Sequence, residues 1–192
     1  MEITNSENIA SIIPAFESGN KQIKQWNDVS VQNSLPLTKE KIVKSFRDNA
    51  SIGFHLDTCY RCHGTTDYQR WMITNENTPY RIEYQNHYEP YILVKRLRAM
   101  RYDARFRGYG YNKIFHLKSS ILFNNVAFVV SSDTFLYHIS HPPSKDKKLF
   151  KEIFDKQKGK WLKGLYRLAL SDLASGVDTT GFIKSYIRFL LE

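Results

Sequence analysis

Apolar positions in the first third of the chain form one short run and one amphipathic stretch. The run at residues 9–17 is ended by the polar turn at 18–20, which predicts a buried strand leading into a loop. Residues 39–49 place Ile42, Val43 and Phe46 on one helical face behind Thr38, which predicts a helix capped by the threonine side chain. Residues 53–71 are too polar for a core element and predict a loop with short helical turns.

The remaining pattern predicts strands and then helices. Alternation at 80–84 and an apolar run at 91–94 predict two strands and suggest a hairpin. A helix is predicted to begin near Asn112, and two further strands lie at 126–130 and 134–139, before consecutive prolines end the sheet. Apolar residues between 149 and 173 predict one long helix or a pair broken near Gly159, and those at 182–190 predict another.

These elements predict an α/β protein with one globular domain. A loose N-terminus occupies residues 1–8, the domain body 9–150, and closing helices 151–192. Of the 192 residues, 42% are hydrophobic, which is enough to exclude general disorder. The sequence has no apolar run long enough to span a membrane and does not open with a signal-peptide pattern, so we expect neither feature in this chain.

Charge widens the choice of partners. Lys and Arg outnumber Asp and Glu by 28 to 19, giving a net charge of +9 that would attract nucleic acid, anionic membrane or a phosphorylated small molecule. Basic and aromatic residues interleave at 95–102, as in grooves that bind single-stranded nucleic acid. No nucleic-acid-binding motif accompanies them, so a solvated basic face is favoured and no nucleic-acid partner is expected.

The two cysteines lie in a Cys-x-x-Cys-His pattern formed by Cys59, Cys62 and His63. This pattern occurs in covalent haem attachment, but such attachment needs export and a small helical fold, which this chain does not suggest. A structural zinc site that uses His55 or His63 and a local disulfide or plain buried thiols remain as alternatives.

Two further places have candidate chemistry. The glycines of Gly108-Tyr109-Gly110 precede a predicted helix whose N-terminus would favour an anionic group, although Lys113 stands where a dinucleotide fingerprint needs a small residue. A plain tight turn is the alternative. His138 and His141 lie at the end of a predicted strand, where imidazoles can complete a metal site or make an ordinary hydrogen bond.

Six blocks of the sequence, taken in order, resemble the C-terminal part of the glycosyltransferase family 49 domain. They are IIPAFES, LTKEKIVKSF, CYRCHGTTDYQRW, TPYRIEYQNHYEPYILVKR, YDARFRGYGYNKIFHL and FLYHISHPPS. The family includes the LARGE-type xylosyl- and glucuronyltransferases and a β-1,4-glucuronyltransferase.

The resemblance implies a GT-A fold, a Rossmann-like α/β fold that uses Mn²⁺ to transfer a sugar from a UDP-sugar donor to a glycan acceptor with inversion. In that chemistry the metal offsets charge on the departing UDP, while a carboxylate takes the proton of the acceptor hydroxyl. The family works in the Golgi lumen. A carbohydrate- or partner-binding module without catalysis is the alternative, and a nucleic-acid-binding module is a weaker one.

The resemblance also assigns roles to residues. His138 matches the histidine that completes the metal site, and Cys59 and Cys62 match cysteines that favour a disulfide or structural role. The loop at 65–71 matches a family loop, with Asp67 in place of Asn. The expected substrate-binding residues are Arg70, Trp71, Tyr111, Asn112 and Lys113.

Two carboxylates on matched blocks, Glu89 and Asp103, are alternative catalytic bases, with Glu89 preferred. The family's Asp-x-Asp motif, which binds Mn²⁺ and the donor diphosphate, has no counterpart, because no two aspartates stand two positions apart. We therefore expect that the chain is a partial domain without the nucleotide-binding half, either as a fragment or as a short paralogue.

Overall fold

The computed structural model describes residues 8–19, 33–96, 99–106, 110–142 and 158–176. The chain forms two compact units. The sheet unit is drawn from residues 1–97 and 126–142, and the helical unit from 98–125 and 143–192. The mixture of helices and sheets agrees with the predicted α/β class.

The described elements follow the predicted order closely. The strands are β1 Ile9–Ile13, β2 Ala15–Ser18, β3 Ser51–Gly53, β4 Tyr80–Ile82, β5 Tyr91–Val94, β6 Ala127–Val130 and β7 Leu136–His138. The helices are α1 Lys39–Arg47, α2 Tyr60–His63, α3 Tyr68–Ile73, α4 Asn112–Asn124 and α5 Lys158–Ala174, with a 3₁₀ turn at Gly64–Thr66. Thr38 caps α1 as predicted, its side chain accepting from the Lys41 backbone N–H at 3.4 Å.

The strands of the sheet unit form two mixed sheets. The first has the order β4-β6-β1-β5, in which only β6 and β1 are parallel, and the second has the order β3-β2-β7, in which β2 and β7 are parallel. The suggested hairpin of β4 and β5 is wrong, because the two strands lie at opposite edges of the first sheet. Both segments have the apolar character of strands, but each pairs with a strand from a distant part of the chain.

Pro14 divides the predicted first strand into β1 and β2, which belong to different sheets. Proline has no backbone N–H and therefore interrupts a ladder of hydrogen bonds. Its carbonyl still accepts from the Leu136 N–H at 2.8 Å, and the Ile12 carbonyl accepts from Ser131 at 2.9 Å. The chain from β6 to β7 thus crosses between the sheets alongside the chain from β1 to β2.

The core of the sheet unit is built around the completely buried Phe16 of β2. Its ring contacts four other aromatic rings, those of Phe46, Tyr68, Trp71 and Phe135, at centroid distances of 5.1–6.1 Å. The short helices predicted for residues 53–71 are confirmed, but the prediction that this segment lies outside the core is wrong. Three of its four large aromatic residues are buried, namely Phe54, Tyr68 and Trp71, while the polar residues between Tyr68 and Trp71 face outward.

Lys39, the first residue of α1, is buried although lysine is a surface residue in most proteins. Its ammonium donates to the carbonyl of Thr74 at 2.6 Å and to that of Ser132, and it lies 4.6 Å from the centre of the Trp71 ring. Burial lowers the pKa of Lys39, while Glu76 and Asp133 raise it. The side chain therefore joins α1, the end of α3 and the crossing between the sheets.

We expect Lys39→Met to lower the free energy of unfolding by about 1–3 kcal/mol, because two buried carbonyls lose their donor while the side-chain volume is kept. Urea unfolding followed by circular dichroism measures this difference. Lys41→Met, on the exposed face of the same helix, is the matched control and should stay within about 0.5 kcal/mol of the wild type. Equal stability of the two variants would contradict an anchoring role for Lys39.

The helical unit packs α4 against α5. Its buried residues are Phe106, Phe115, Ala169 and Leu173. Gly110, just before α4, has a φ of 99°, and a Cβ there would approach the Leu162 side chain to 3.1 Å, so a glycine suits the position. The predicted break near Gly159 would involve residues 149–157, which lie outside the described residues. The helix predicted at 182–190 also lies outside them.

Across the part of the chain that the structure describes, no helix has both the length and the apolar character needed to cross a bilayer.

Candidate functional site

Glu17 and His138 stand directly opposite each other at the carboxyl ends of the parallel strands β2 and β7. Glu17 Oε2 lies 3.6 Å from Nδ1 of His138. The carboxyl ends of parallel strands are where open α/β sheets bind ligands, so the pair lies at a position suited to chemistry. The strand register alone brings these two side chains together.

Glu17 is nearly completely buried, with 4% of its surface exposed. Its Oε1 accepts a hydrogen bond of 3.0 Å from the backbone N–H of His55. Sequence analysis included Glu17 in an apolar run and gave it no role. A carboxylate inside a run predicted to be buried is itself a signal, because buried charges are rare unless they are paired.

Aromatic and imidazole rings surround His138. The ring of Phe54 lies 5.0 Å from that of His138, 5.1 Å from that of His63 and 3.9 Å from that of His55. His141 lies 5.4 Å from His138 and is exposed, with Nδ1 2.9 Å from the Pro142 carbonyl oxygen. The structure therefore gathers histidines from three segments around one phenylalanine.

Burial lowers the pKa of His138, and this effect outweighs the opposing attraction of Glu17. The imidazoles of His141 and His55 lower the pKa further. His138 is therefore neutral near pH 7, the form in which an imidazole nitrogen can bind a metal ion. One third of its side chain is exposed, whereas Nδ1 is buried and has no hydrogen-bond partner within reach.

Glu89 lies beside a disulfide between Cys59 and Cys62. Its backbone N–H donates to the Cys62 carbonyl at 2.8 Å, and its Oε1 is 3.8 Å from the Cys62 sulfur. The disulfide confirms one of the alternatives predicted for the cysteines and leaves neither thiolate for zinc or haem. The preceding residue, Tyr88, is completely buried and shares a hydrogen bond of 2.7 Å with Thr66, which fixes the backbone next to Glu89.

Helix α3, which carries Arg70 and Trp71, presents the two residues differently. Arg70 is exposed and lies over the Tyr80 ring at 4.3 Å. Trp71, predicted to contact substrate, is completely buried, and its indole N–H donates to the Ser131 carbonyl at 2.8 Å. A direct contact with a ligand would require an exposed ring, so in this structure the Trp71 ring packs in the core while the neighbouring Arg70 of α3 faces outward.

Asp103 and Arg105 form an ion pair in the helical unit. Both oxygens of the buried Asp103 carboxylate accept hydrogen bonds from Arg105, the shortest at 2.7 Å, and Arg105 also reaches Asp172 of α5 at 2.7 Å. These hydrogen bonds raise the pKa of Arg105. Arg105, held by Asp103, thus ties the segment before α4 to α5.

The other three predicted substrate-binding residues open α4. Tyr111 has a positive φ of 58° and packs on Tyr166 at 4.8 Å. The Asn112 side chain accepts from the Lys113 backbone N–H at 2.8 Å, which satisfies one of the free N–H groups of the first turn. Lys113 is half-buried in that turn. The predicted helix start at Asn112 is confirmed.

Within the described ranges, no three histidine, cysteine or acidic side chains are arranged to hold a metal ion together. His138 could supply one ligand, and its neutral imidazole suits a transition metal. The buried carboxylate behind it is the type of group that orients metal-bound histidines.

The sequence matches the family described as glycosyl-transferase for dystroglycan over residues 2–166. The chain belongs to this family. This confirms the resemblance seen in the six sequence blocks.

Similar proteins agree with the family. The chain is 37% identical over 140 residues to glycosyltransferase-like protein gnt14 of Dictyostelium discoideum. The matched region makes up 71% of this chain and 19% of that protein. It is 29% identical over 137 residues to xylosyl- and glucuronyltransferase LARGE1 of Danio rerio, a match that covers 71% of this chain and 16% of that protein. It is 31% identical over 137 residues to xylosyl- and glucuronyltransferase LARGE2 of Homo sapiens, a match that covers 71% of this chain and 17% of that protein. The chain thus spans less than a fifth of the length of these relatives.

The six sequence blocks contain Glu17, Glu89 and His138, and all of them lie within the matched residues.

Proposed function

We propose that this chain is part of an inverting, Mn²⁺-dependent glycosyltransferase domain of the GT-A fold. It would help to transfer glucuronic acid or xylose from a UDP-sugar to a glycan acceptor. The observation that carries the proposal is the neutral His138 beside the buried Glu17, at the carboxyl end of a parallel strand pair, in a chain that belongs to a glycosyltransferase family.

His138 would supply one nitrogen to the metal. Its lowered pKa leaves a ring nitrogen unprotonated at neutral pH, and the exposed part of the ring lies away from the buried Nδ1. Mn²⁺ held there would stabilise the negative charge that develops on the departing UDP. The remaining ligands would come from side chains other than those gathered around His138.

Glu89 would take the proton of the acceptor hydroxyl as the hydroxyl oxygen attacks the sugar. Asp103, the alternative base, is less suited, because Arg105 occupies both of its oxygens and the group is buried in the helical unit. The backbone hydrogen bond to Cys62 and the disulfide beside it hold Glu89 in place.

Cationic and amide groups would bind the charged parts of the substrates. Arg70 presents an exposed guanidinium suited to a carboxylate or phosphate. Lys113 and Asn112 lie in the first turn of a helix of 13 residues, whose dipole favours a nearby anion. Tyr111 would pack beside the sugar or base. Trp71 would hold helix α3, which carries Arg70, in place from within the core.

A chimera with a relative tests transfer directly. In it, the matching 137-residue segment of human LARGE2 is replaced by the corresponding residues of this chain. We expect the chimera to transfer xylose or glucuronic acid in the presence of Mn²⁺. The isolated 192-residue chain should release little or no UDP, because no two aspartates stand two positions apart to bind the diphosphate. Rapid UDP release by the isolated chain would contradict the partial-domain part of the proposal.

A carbohydrate-binding role without catalysis is the second candidate, and the absence of an Asp-x-Asp motif from the sequence favours it. It predicts that the isolated chain binds oligosaccharide acceptors, measured by saturation-transfer NMR. It also predicts that the chimera folds but transfers no sugar. Transfer by the chimera would exclude this candidate.

A further inference from the structure

Glu17 takes no part of its own in the proposed transfer, and the surroundings of its carboxylate are asymmetric. One carboxylate oxygen, Oε1, accepts from the His55 backbone N–H, which can only donate. The other, Oε2, faces Nδ1 of His138 at 3.6 Å. The two oxygens of this buried carboxylate therefore have different neighbours. The His55 N–H is always a donor, whereas Nδ1 of His138 is a donor or an acceptor depending on the tautomer of the ring.

The backbone holds Glu17 firmly in this orientation. Phe54 N–H donates to the Ala15 carbonyl at 2.9 Å, which continues the pairing of β2 with β3 up to His55. His55 then adopts a φ of 54°, and its N–H donates to the Glu17 side chain. On the other side, parallel pairing sets His138 opposite Glu17. Sheet pairing therefore holds the backbone of His138 opposite Glu17, and it holds the chain just before His55 beside the same strand.

The charge of Glu17 decides which ring nitrogen of His138 carries the proton. A neutral imidazole has one N–H and one lone pair, and a lone pair on Nδ1 would face the negative Oε2. A proton on Nδ1 would instead be attracted to it. A shift of roughly 0.5–1 Å would bring the two atoms to hydrogen-bond distance, and it would also pair the buried Nδ1, which now has no hydrogen-bond partner within reach.

We propose that Glu17 is the positioning residue of His138, holding the proton on Nδ1 and thereby leaving the lone pair of Nε2 as the metal-binding group. The inference rests on the proposed function for the identity of the ligand. The orientation of the proton rests on the contacts of Glu17 with the His55 N–H and with Nδ1 of His138. A carboxylate behind a histidine is a common way to fix the tautomer of a metal ligand.

Glu17→Gln tests this with a side chain of the same shape. The His55 N–H continues to require an acceptor, so the amide oxygen takes the place of Oε1 and the amide NH₂ takes that of Oε2. The NH₂ group then donates to Nδ1 of His138. We expect the proton of His138 to move to Nε2, which removes the lone pair that binds the metal.

The first measurement is the tautomer of His138 in the purified chain, read from ring ¹⁵N shifts at about pH 8, above the ordinary pKa of histidine. Signals are assigned by their loss in His138→Ala. The wild type should carry the proton on Nδ1, and Glu17→Gln should carry it on Nε2. A wild-type proton on Nε2, or an unchanged tautomer in folded Glu17→Gln, would overturn the inference.

The second measurement is the broadening of the carbon-bound ring protons of His138 by added Mn²⁺. We expect Glu17→Gln to need roughly 10–100-fold more Mn²⁺ for the same broadening. Glu83→Gln, which removes the same charge from an exposed position after β4, is the control and should match the wild type. Equal broadening in wild type and Glu17→Gln would contradict a role of the tautomer in metal binding.

The outcomes separate the two proposals. If the wild type shows the Nδ1 proton and Glu17→Gln moves it, yet removal of Mn²⁺ leaves sugar transfer by the LARGE2 chimera unchanged, the positioning role stands and the metal assignment of the proposed function fails. If Mn²⁺ broadens His138 equally whichever nitrogen carries the proton, the metal assignment stands and the positioning role fails.

Discussion

We expect His138→Ala to lower sugar transfer by the LARGE2 chimera at least about 100-fold, because a lost metal ligand removes several kcal/mol of charge stabilisation in the transition state. The free energy of unfolding should change by only about 1 kcal/mol, since the side chain is part exposed and its Nδ1 makes no close hydrogen bond. UDP release with Mn²⁺ measures the first quantity, and urea unfolding measures the second.

His141→Ala is the matched control for this experiment. His141 lies 5.4 Å from His138 but is exposed, and its Nδ1 contacts the carbonyl oxygen of Pro142. We expect this variant to keep nearly full transfer activity. Wild-type activity of His138→Ala would contradict the metal role, and a loss of several kcal/mol of stability would mark His138 as a structural residue.

Trp71→Ala should cause the largest loss of stability of the substitutions considered, about 3–5 kcal/mol. The indole is completely buried and contacts Phe16 at 5.1 Å and Phe135 at 5.8 Å. Its removal leaves a cavity, takes away the donor to the Ser131 carbonyl and uncovers the ammonium of Lys39. Unfolding in urea, followed by circular dichroism at a helix wavelength, gives the difference.

Two variants show which part of this loss comes from packing. Trp71→Phe keeps most of the apolar contact but not the N–H donor, so we expect a loss of about 1–3 kcal/mol. Trp161→Ala removes a tryptophan that is 55% exposed on α5 and should change stability by about 0.5 kcal/mol or less. A similar effect of Trp71→Ala and Trp161→Ala would contradict the core position of Trp71.

Local pattern predicted the helices well. The period of the apolar residues and the Thr38 cap located α1 to within two residues, and the glycine before Asn112 located the start of α4. Both signals act within a few residues of the helix, so no distant part of the chain is needed to interpret them. The same applies to the strands β6 and β7, whose positions were also predicted.

Strand pairing depended on the tertiary structure. The positions of β4 and β5 were predicted, but their partners are β6 and β1, contributed from elsewhere in the chain. An alternating pattern shows that a strand has a buried face without showing which strand lies beside it. The break at Pro14 was visible in the sequence, but its effect, the transfer of the chain from one sheet to the other, was not.

The sequence by itself determined the α/β class, the family and the position of His138 at a strand end, because each depends on local pattern or on blocks of residues in order. Only the tertiary structure decided that Glu17 faces His138, that Lys39 is buried against Trp71, and that Asp103 is paired with Arg105. Glu17 and His138 are 121 positions apart, and the parallel register of β2 and β7 makes them neighbours. Contacts between residues so far apart follow from how whole elements pair and pack, which no local stretch of sequence contains.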